Sequence, residues 1–342
     1  MPNRDLVVIG TSAGGVEALL FVAKNLPERF PASVLITIHL PSHSRSALDE
    51  LLNRAGPLGA SFAFDGEVLR KNRIYIAPPG CHLIARGERL ALGSGPRENN
   101  ARPAIDPMFR SAALCCGGRA IGVVLTGMLG DGAAGLWAIK QAGGITVVQD
   151  PREAAFPEMP RTALSHVEPD HIATLHELPK LLERLVHEPA GAPQPLPRGL
   201  KYEIEVARGG PSTMHEIDRI GRRSVLTCPD CDGVMWEIDE GKLMRFRCHQ
   251  GHAYTAEVMG IAVEESVRRA LGSGLRALEE RLALMNKMRA QAEERDSRHV
   301  AATWADKARE LEAEANTIRI SLRRIDEITE REGTPERRTA TG

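Results

Sequence analysis

Leu6-Val7-Val8-Ile9-Gly10-Thr11-Ser12-Ala13-Gly14-Gly15 is a short apolar, β-branched run that ends in a glycine-framed serine. A strand apolar on both faces belongs inside a parallel sheet, and glycines after it let the backbone turn sharply into a helix. Ser12 is therefore expected on a strand-to-helix turn, its hydroxyl at the carboxyl edge of the sheet. Further runs at 34–38, 74–76, 121–125 and 145–148 alternate with helical patterns at 15–25, 46–54, 107–116 and 132–141. That rhythm predicts an α/β, doubly wound, mainly parallel sheet over residues 1–187. Residues 82–92 read as a small hairpin at an antiparallel edge.

A glycine-rich loop between a first strand and a helix is also where a dinucleotide pyrophosphate would sit. The spacing here is Gly-x-x-x-Gly-Gly rather than Gly-x-Gly-x-x-Gly, and the residue closing the second strand, where a ribose-binding acid belongs, is His39. A histidine at that strand end suits proton transfer, and adjacent strand ends lie about 5 Å apart, within reach of Ser12. The third partner should be a carboxylate at the same edge. Thr126-Gly127-Met128-Leu129-Gly130-Asp131-Gly132 follows the fourth apolar run and supplies one, Asp131, in a glycine-rich loop. Ser12, His39 and Asp131 thus read as nucleophile, base and orienting acid.

At 342 residues the chain exceeds what one core usually organises, so two or three units are expected. With 44 Lys and Arg against 45 Asp and Glu there is no basic field to hold nucleic acid or an anionic membrane. No stretch approaches the ~20 apolar residues of a membrane span, which predicts a cytoplasmic protein without membrane insertion. In a reducing compartment the six cysteines read as metal ligands or buried small side chains.

Residues 188–212, rich in proline, read as a linker. Cys228-Pro229-Asp230-Cys231 and Cys248-His249-Gln250-Gly251-His252 then form two knuckles of a zinc ribbon within 213–256. Cys228, Cys231, Cys248 and His252 suit a closed, structural zinc, with His249 the rival for the fourth place. If the linker holds this ribbon apart from Ser12, chelation should leave hydrolysis of a small ester intact; no cofactor is expected for catalysis. Residues 257–332 are proline-free to 330 and helical in composition. Trp304, Ala308, Leu311, Ala315, Ile318, Leu322 and Ile325 mark one apolar seam; Leu271, Leu275, Leu278, Leu282 and Met285 mark another. An antiparallel α-helical hairpin is the simplest packing, a homodimer seam the next. Residues 333–342 read as a disordered tail.

The strings Ile9-Gly10-Thr11-Ser12-Ala13-Gly14-Gly15, His39-Leu40-Pro41 and Thr126-Gly127-Met128-Leu129-Gly130-Asp131-Gly132-Ala133-Ala134-Gly135 resemble the catalytic domain of the chemotaxis protein-glutamate methylesterases, the CheB type. Ile105-Asp106-Pro107-Met108-Phe109-Arg110, Ala77-Pro78-Pro79-Gly80 and Gln149-Asp150-Pro151 fit the same family. The resemblance implies Ser12, His39 and Asp131 as the triad, and the backbone amides of Ala13 and Met128 as oxyanion donors. It implies as substrate the γ-methyl ester of glutamate on the cytoplasmic helices of a chemoreceptor, with deamidation of receptor glutamine a related activity. Asp106 and Arg110 would be structural or substrate-lining. Such enzymes commonly carry a phosphoacceptor receiver domain ahead of the esterase. Here the first strand begins at Leu6, so a stand-alone form is expected. A contrasting expectation is a scaffold that binds receptor or methyltransferase through the helical hairpin; the intact Ser-His-Asp set weighs against it.

Overall fold

The computed structural model describes residues 2–40, 46–192, 194–196, 199–240 and 243–333. The chain divides into two compact units, Met1–Met259 and Gly260–Gly342.

The first unit opens with β1 (Leu6–Thr11), α1 (Gly15–Asn25), β2 (Ser33–Ile38), α2 (Leu48–Ala55), β3 (Gly59–Phe62) and β4 (Arg73–Ile76). A hairpin of β5 (His82–Arg86) and β6 (Arg89–Gly93) follows, then α3 (Ile105–Cys116), β7 (Ala120–Val124), α4 (Ala133–Gln141) and β8 (Ile145–Gln149). Next come α5 (Glu158–His166), β9 (His171–Ala173), α6 (Leu178–His187), α7 (Leu200–Arg208) and α8 (Met214–Ile217). Seven strands pair in the order β3-β4-β2-β1-β7-β8-β9, all parallel. β1 and β2 are buried at every position, as a sheet covered on both faces requires. One core packs α1, α2 and α6 against the sheet through Leu19, Val22, Leu52 and Leu182. The other packs α3 and α4 through Ile105, Phe109, Leu136 and Ile139. Because β1 is flanked by β2 on one side and β7 on the other, the strand order reverses there. The crevice at that switch point opens beyond the carboxyl end of β1.

The hairpin expected as an antiparallel edge is instead a separate two-stranded sheet, packed on α3 rather than paired with the parallel strands. The linker expectation for 188–212 fails from residue 200 onward. Leu200, Ile204 and Ala207 of α7 are buried in the same core as α3. Their near i, i+4 spacing was hidden between proline- and glycine-rich flanks.

β10 (Arg222–Thr227), β11 (Val234–Glu240), β12 (Leu243–Cys248) and β13 (Ala253–Thr255) form a four-stranded antiparallel sheet carrying the two cysteine knuckles. This ribbon belongs to the first unit with the parallel-sheet domain, so it is not a separate body beyond a linker. α9 (Ala256–Glu294) and α10 (Arg298–Gly333) are the two long helices expected over 257–332. Within the second unit Arg268 pairs with Asp326 and Glu279 with Arg319, the descending register of an antiparallel hairpin. The expected disordered tail lies, from residue 334, outside the described residues.

Candidate active site

Register fixes the first contact. Thr11 pairs with Ile38, so the residues that follow, Ser12 and His39, leave adjacent strands side by side, and His39 still donates its amide to Thr11 O at 3.4 Å. Ser12 Oγ lies 3.1 Å from His39 Nδ1, and His39 Nε2 lies 2.7 Å from Asp131 Oδ2. Gly14, at φ 72, makes the turn from Ser12 into α1. The loop after β7 closes over Ser12: a Cβ on Gly127 would stand 2.9 Å from Ser12 Cβ and 2.7 Å from Met159 Cε. Met159 N donates to Gly127 O and Leu129 N to Glu158 Oε2, so α5 anchors the loop. Leu129 holds a left-handed φ of 64, uncommon for a side chain of that size. Among the described residues, the amides of Ala13 and Met128 donate to no protein group. Free amides beside a nucleophile are what a developing oxyanion needs.

Asp131 is 2 % exposed and sits at the N-terminus of α3, although it precedes α4, whose N-cap is Gly132. Its Oδ2 accepts from Ile105 N at 2.6 Å, and its Oδ1 from Asp106 N at 3.2 Å and from Asn99 Nδ2 at 2.9 Å. Burial works against ionisation of Asp131. The hydrogen bond and charge of His39, with the Ile105 amide and Asn99, outweigh it and hold the carboxyl below the usual carboxylate range. Asp106 is raised to about 7 by burial first and by the Asp131 charge second. It accepts the Gly135 amide at 2.6 Å and faces Asn99 Nδ2 at 3.0 Å. Asp106 and Arg110, implied as structural or substrate-lining, are both fully enclosed.

Arg110 leads to a group the sequence did not disclose. Glu98, Arg110, Glu203, Arg245 and Arg247 are all at most 2 % exposed. Arg110 pairs with Glu98; Arg247 reaches Glu98 at 3.0 Å and Glu203 at 2.9 Å; Arg245 meets both oxygens of Glu203 at 2.9 and 3.0 Å. This cluster joins α3, α7 and the loop before α3 to strand β12 of the ribbon. Asn99, next to Glu98, was also missed. Its only sequence signal was an Asn pair, the residue type that best tolerates the left-handed φ of 50 it adopts.

At the ribbon tip the ligand atoms of Cys228, Cys231, Cys248 and His252 all lie within 4.8 Å of one another. His252 Nδ1 is 3.5 Å from Cys248 Sγ and 3.7 Å from Cys228 Sγ, and Cys231 Sγ is 3.7 Å from Cys248 Sγ. Zn–S bonds of about 2.3 Å at tetrahedral angles span roughly 3.7 Å between sulfurs, so the set fits such an ion. His249 contacts Gln250 instead and stands outside the group.

Comparison with known proteins places the sheet domain in a family. Residues 7–182 match the family model described as CheB methylesterase. A relative from Leptospira interrogans named putative protein-glutamate methylesterase/protein-glutamine glutaminase is 35 % identical over 184 residues, covering 54 % of this chain and 95 % of that protein. A protein-glutamate methylesterase/protein-glutamine glutaminase from Pectobacterium atrosepticum is 38 % identical over 182 residues, which are 52 % of each chain. The crystal structure of the Thermotoga maritima CheB methylesterase catalytic domain superposes with a TM-score of 0.52 at 31 % identity, over 54 % of this chain and 100 % of that one. The matched part is the sheet domain that carries Ser12, His39 and Asp131, and the chain belongs to the CheB methylesterase family.

Proposed function

We propose that the chain hydrolyses γ-methyl esters of glutamate side chains in a protein substrate, with Ser12 as nucleophile, His39 as general base and acid, and Asp131 as the carboxylate that orients it. The observation that carries this is the unbroken Ser12–His39–Asp131 hydrogen-bonded chain at the switch point of the sheet. His39 takes the Ser12 proton as Oγ adds to the ester carbonyl carbon, and the carbonyl oxygen becomes an oxyanion facing the Ala13 and Met128 amides. Collapse breaks the bond to the methoxy oxygen, which leaves as methanol with the proton from His39. A water then gives a proton to His39 and adds to the acyl carbon, freeing the γ-carboxylate and restoring Ser12. On a glutamine side chain the same steps release ammonia, the glutaminase half of the relatives' names.

Methylated chemoreceptor helices are the partner the resemblance implies. In this reading no metal acts in the reaction, and Cys228, Cys231, Cys248 and His252 hold a structural zinc. Methanol release from a methylated receptor fragment tests the assignment. Ser12→Ala should lower the rate by about 10⁴-fold or more while leaving the circular dichroism unchanged. A Ser12→Ala protein that keeps its rate sinks the triad.

A further inference from the structure

The loop between β6 and α3 and the ribbon are joined by two main-chain hydrogen bonds and by one from the ribbon main chain to a loop side chain. Asn99 N donates to Ala253 O at 2.7 Å, Ala253 N to Arg97 O at 3.3 Å, and Thr255 N to Asn99 Oδ1 at 2.9 Å. The last bond decides what the amide can do. An asparagine side chain has one acceptor end and one donor end. With Oδ1 committed to the ribbon amide, Nδ2 must face the other way, and its two protons meet Asp131 Oδ1 at 2.9 Å and Asp106 Oδ2 at 3.0 Å. Rotating the amide by half a turn would put its oxygen against two carboxyl groups. A second contact follows the same route: a Cβ on Gly130, beside Asp131, would meet Thr255 Oγ1 at 3.4 Å.

We infer that Asn99 is a positioning residue for Asp131, and that the cysteine–histidine ribbon, through the Thr255 amide, sets the orientation in which Asn99 acts. The inference rests on reading Ser12, His39 and Asp131 as the catalytic triad. It gives the ribbon a part in ester hydrolysis itself, with no contact to substrate. Arg247, buried against Glu98, ties β12 to the same loop, Arg245 and Arg247 tie it to Glu203 of α7, and β12 pairs Arg245 with Thr255 of β13.

The test uses the full chain and a small activated ester, so that no receptor-docking surface enters the readout. Asn99→Gly keeps the left-handed backbone and deletes the amide. It should lower kcat on the order of 10–100-fold, the cost of a small misplacement in a catalytic group, with KM nearly unchanged and the pH–rate profile displaced. A merely structural role would lower the melting temperature and leave kcat and the pH profile of the folded enzyme as they were, which overturns the inference. Asn99→Asp still accepts from Thr255 but turns an oxygen on Asp131. Its deficit relative to wild type should shrink as pH falls and the introduced carboxyl regains a proton to donate; a constant deficit counts against the inference. Should Asn99→Gly fail to fold, Asn99→Asp takes its place both here and in the cycle that follows. The ribbon's share is read from a cycle with Cys228→Ser. If the ribbon acts through Asn99, adding Asn99→Gly to Cys228→Ser costs little more in kcat, whereas additive losses overturn the link. Ser12→Ala runs beside them: if it remains active, the triad reading has failed, whatever the Asn99 variants show.

Discussion

Three buried titratable groups, Asp106, His82 and Asp131, give the protein a readable pH signature. Asp106, at about 7 in the folded chain, binds a proton that an ordinary aspartate near 3.9 has already released in the unfolded chain. From about pH 4 to 7 the native state therefore holds the extra proton, so this group's contribution to stability falls as pH rises through that window and is flat above it. His82 works the other way. Burial lowers its pKa, and its two nitrogens are committed, Nε2 to Pro96 O at 2.9 Å and Nδ1 to the Ala104 amide at 3.2 Å. The folded state refuses a proton the unfolded chain accepts, so the His82 contribution rises with pH through the histidine range. Asp131, held low, adds stability that is lost only as pH falls below the ordinary aspartate range. The Asp106 share is isolated by comparing denaturant midpoints at pH 5 and pH 8 for wild type and Asp106→Ala. The variant should be less stable throughout, because the Gly135 amide loses its acceptor. Its stability should nevertheless rise more, or fall less, between the two pH values than that of the wild type. Parallel curves would show that Asp106 does not carry the extra proton.

At the scale of elements, α7 is where charge and burial part company. Leu200, Ile204 and Ala207 give this nine-residue helix an apolar stripe, yet Glu203 lies within the buried side too, enclosed by Arg245, Arg247 and Arg110. Burial and the three guanidinium groups act on Glu203 in opposite directions, and the guanidinium groups prevail, holding the carboxyl far below the usual range. Such a network need not be more stable than an apolar core, but removing one member leaves charges buried without compensation. Glu203→Ala should cost about 3–5 kcal/mol in urea unfolding; a loss below about 1 kcal/mol, the scale of an exposed pair, would contradict the burial. The sequence could not disclose this helix, because composition averages over windows and its apolar positions fall between proline-rich flanks. The strands and helices beside Ser12 were legible for the opposite reason. The runs that became β1, β2, β7 and β8 alternate with helices at the spacing a parallel sheet imposes, and α1 spans the 15–25 that its periodicity indicates. Ser12, His39 and Asp131 were legible as neighbours because each ends or follows a strand at one edge. Asn99 was not, since its position depends on pairing with β13, over 150 residues away in the chain.

For the whole molecule, the packing of the ribbon decides how metal and folding are linked. Four short strands bury only a small core around Met235, Trp236, Phe246 and Tyr254, so the free energy of metal binding at Cys228, Cys231, Cys248 and His252 would add to the folding free energy of the ribbon. Had 188–212 been a flexible linker, that energy would have stayed local and chelation would have spared Ser12. Instead β12 closes the charge cluster and β13 hydrogen-bonds to the loop that holds Asp131, so loss of the ribbon removes partners from Glu98, Glu203 and Asn99 at once. The sheet domain and the ribbon should then melt together. Calorimetry of the full chain before and after chelation is expected to show the transition of the first unit move down, by about 2–4 °C for each kcal/mol of coupling in a unit of this size. Cys228→Ser should reproduce the shift without chelator, which separates loss of the ion from any other action of the chelator. A chelated protein whose first-unit transition stays in place, with only a small ribbon transition lost, would mean that the buried arginines do not transmit the metal's contribution to the sheet domain.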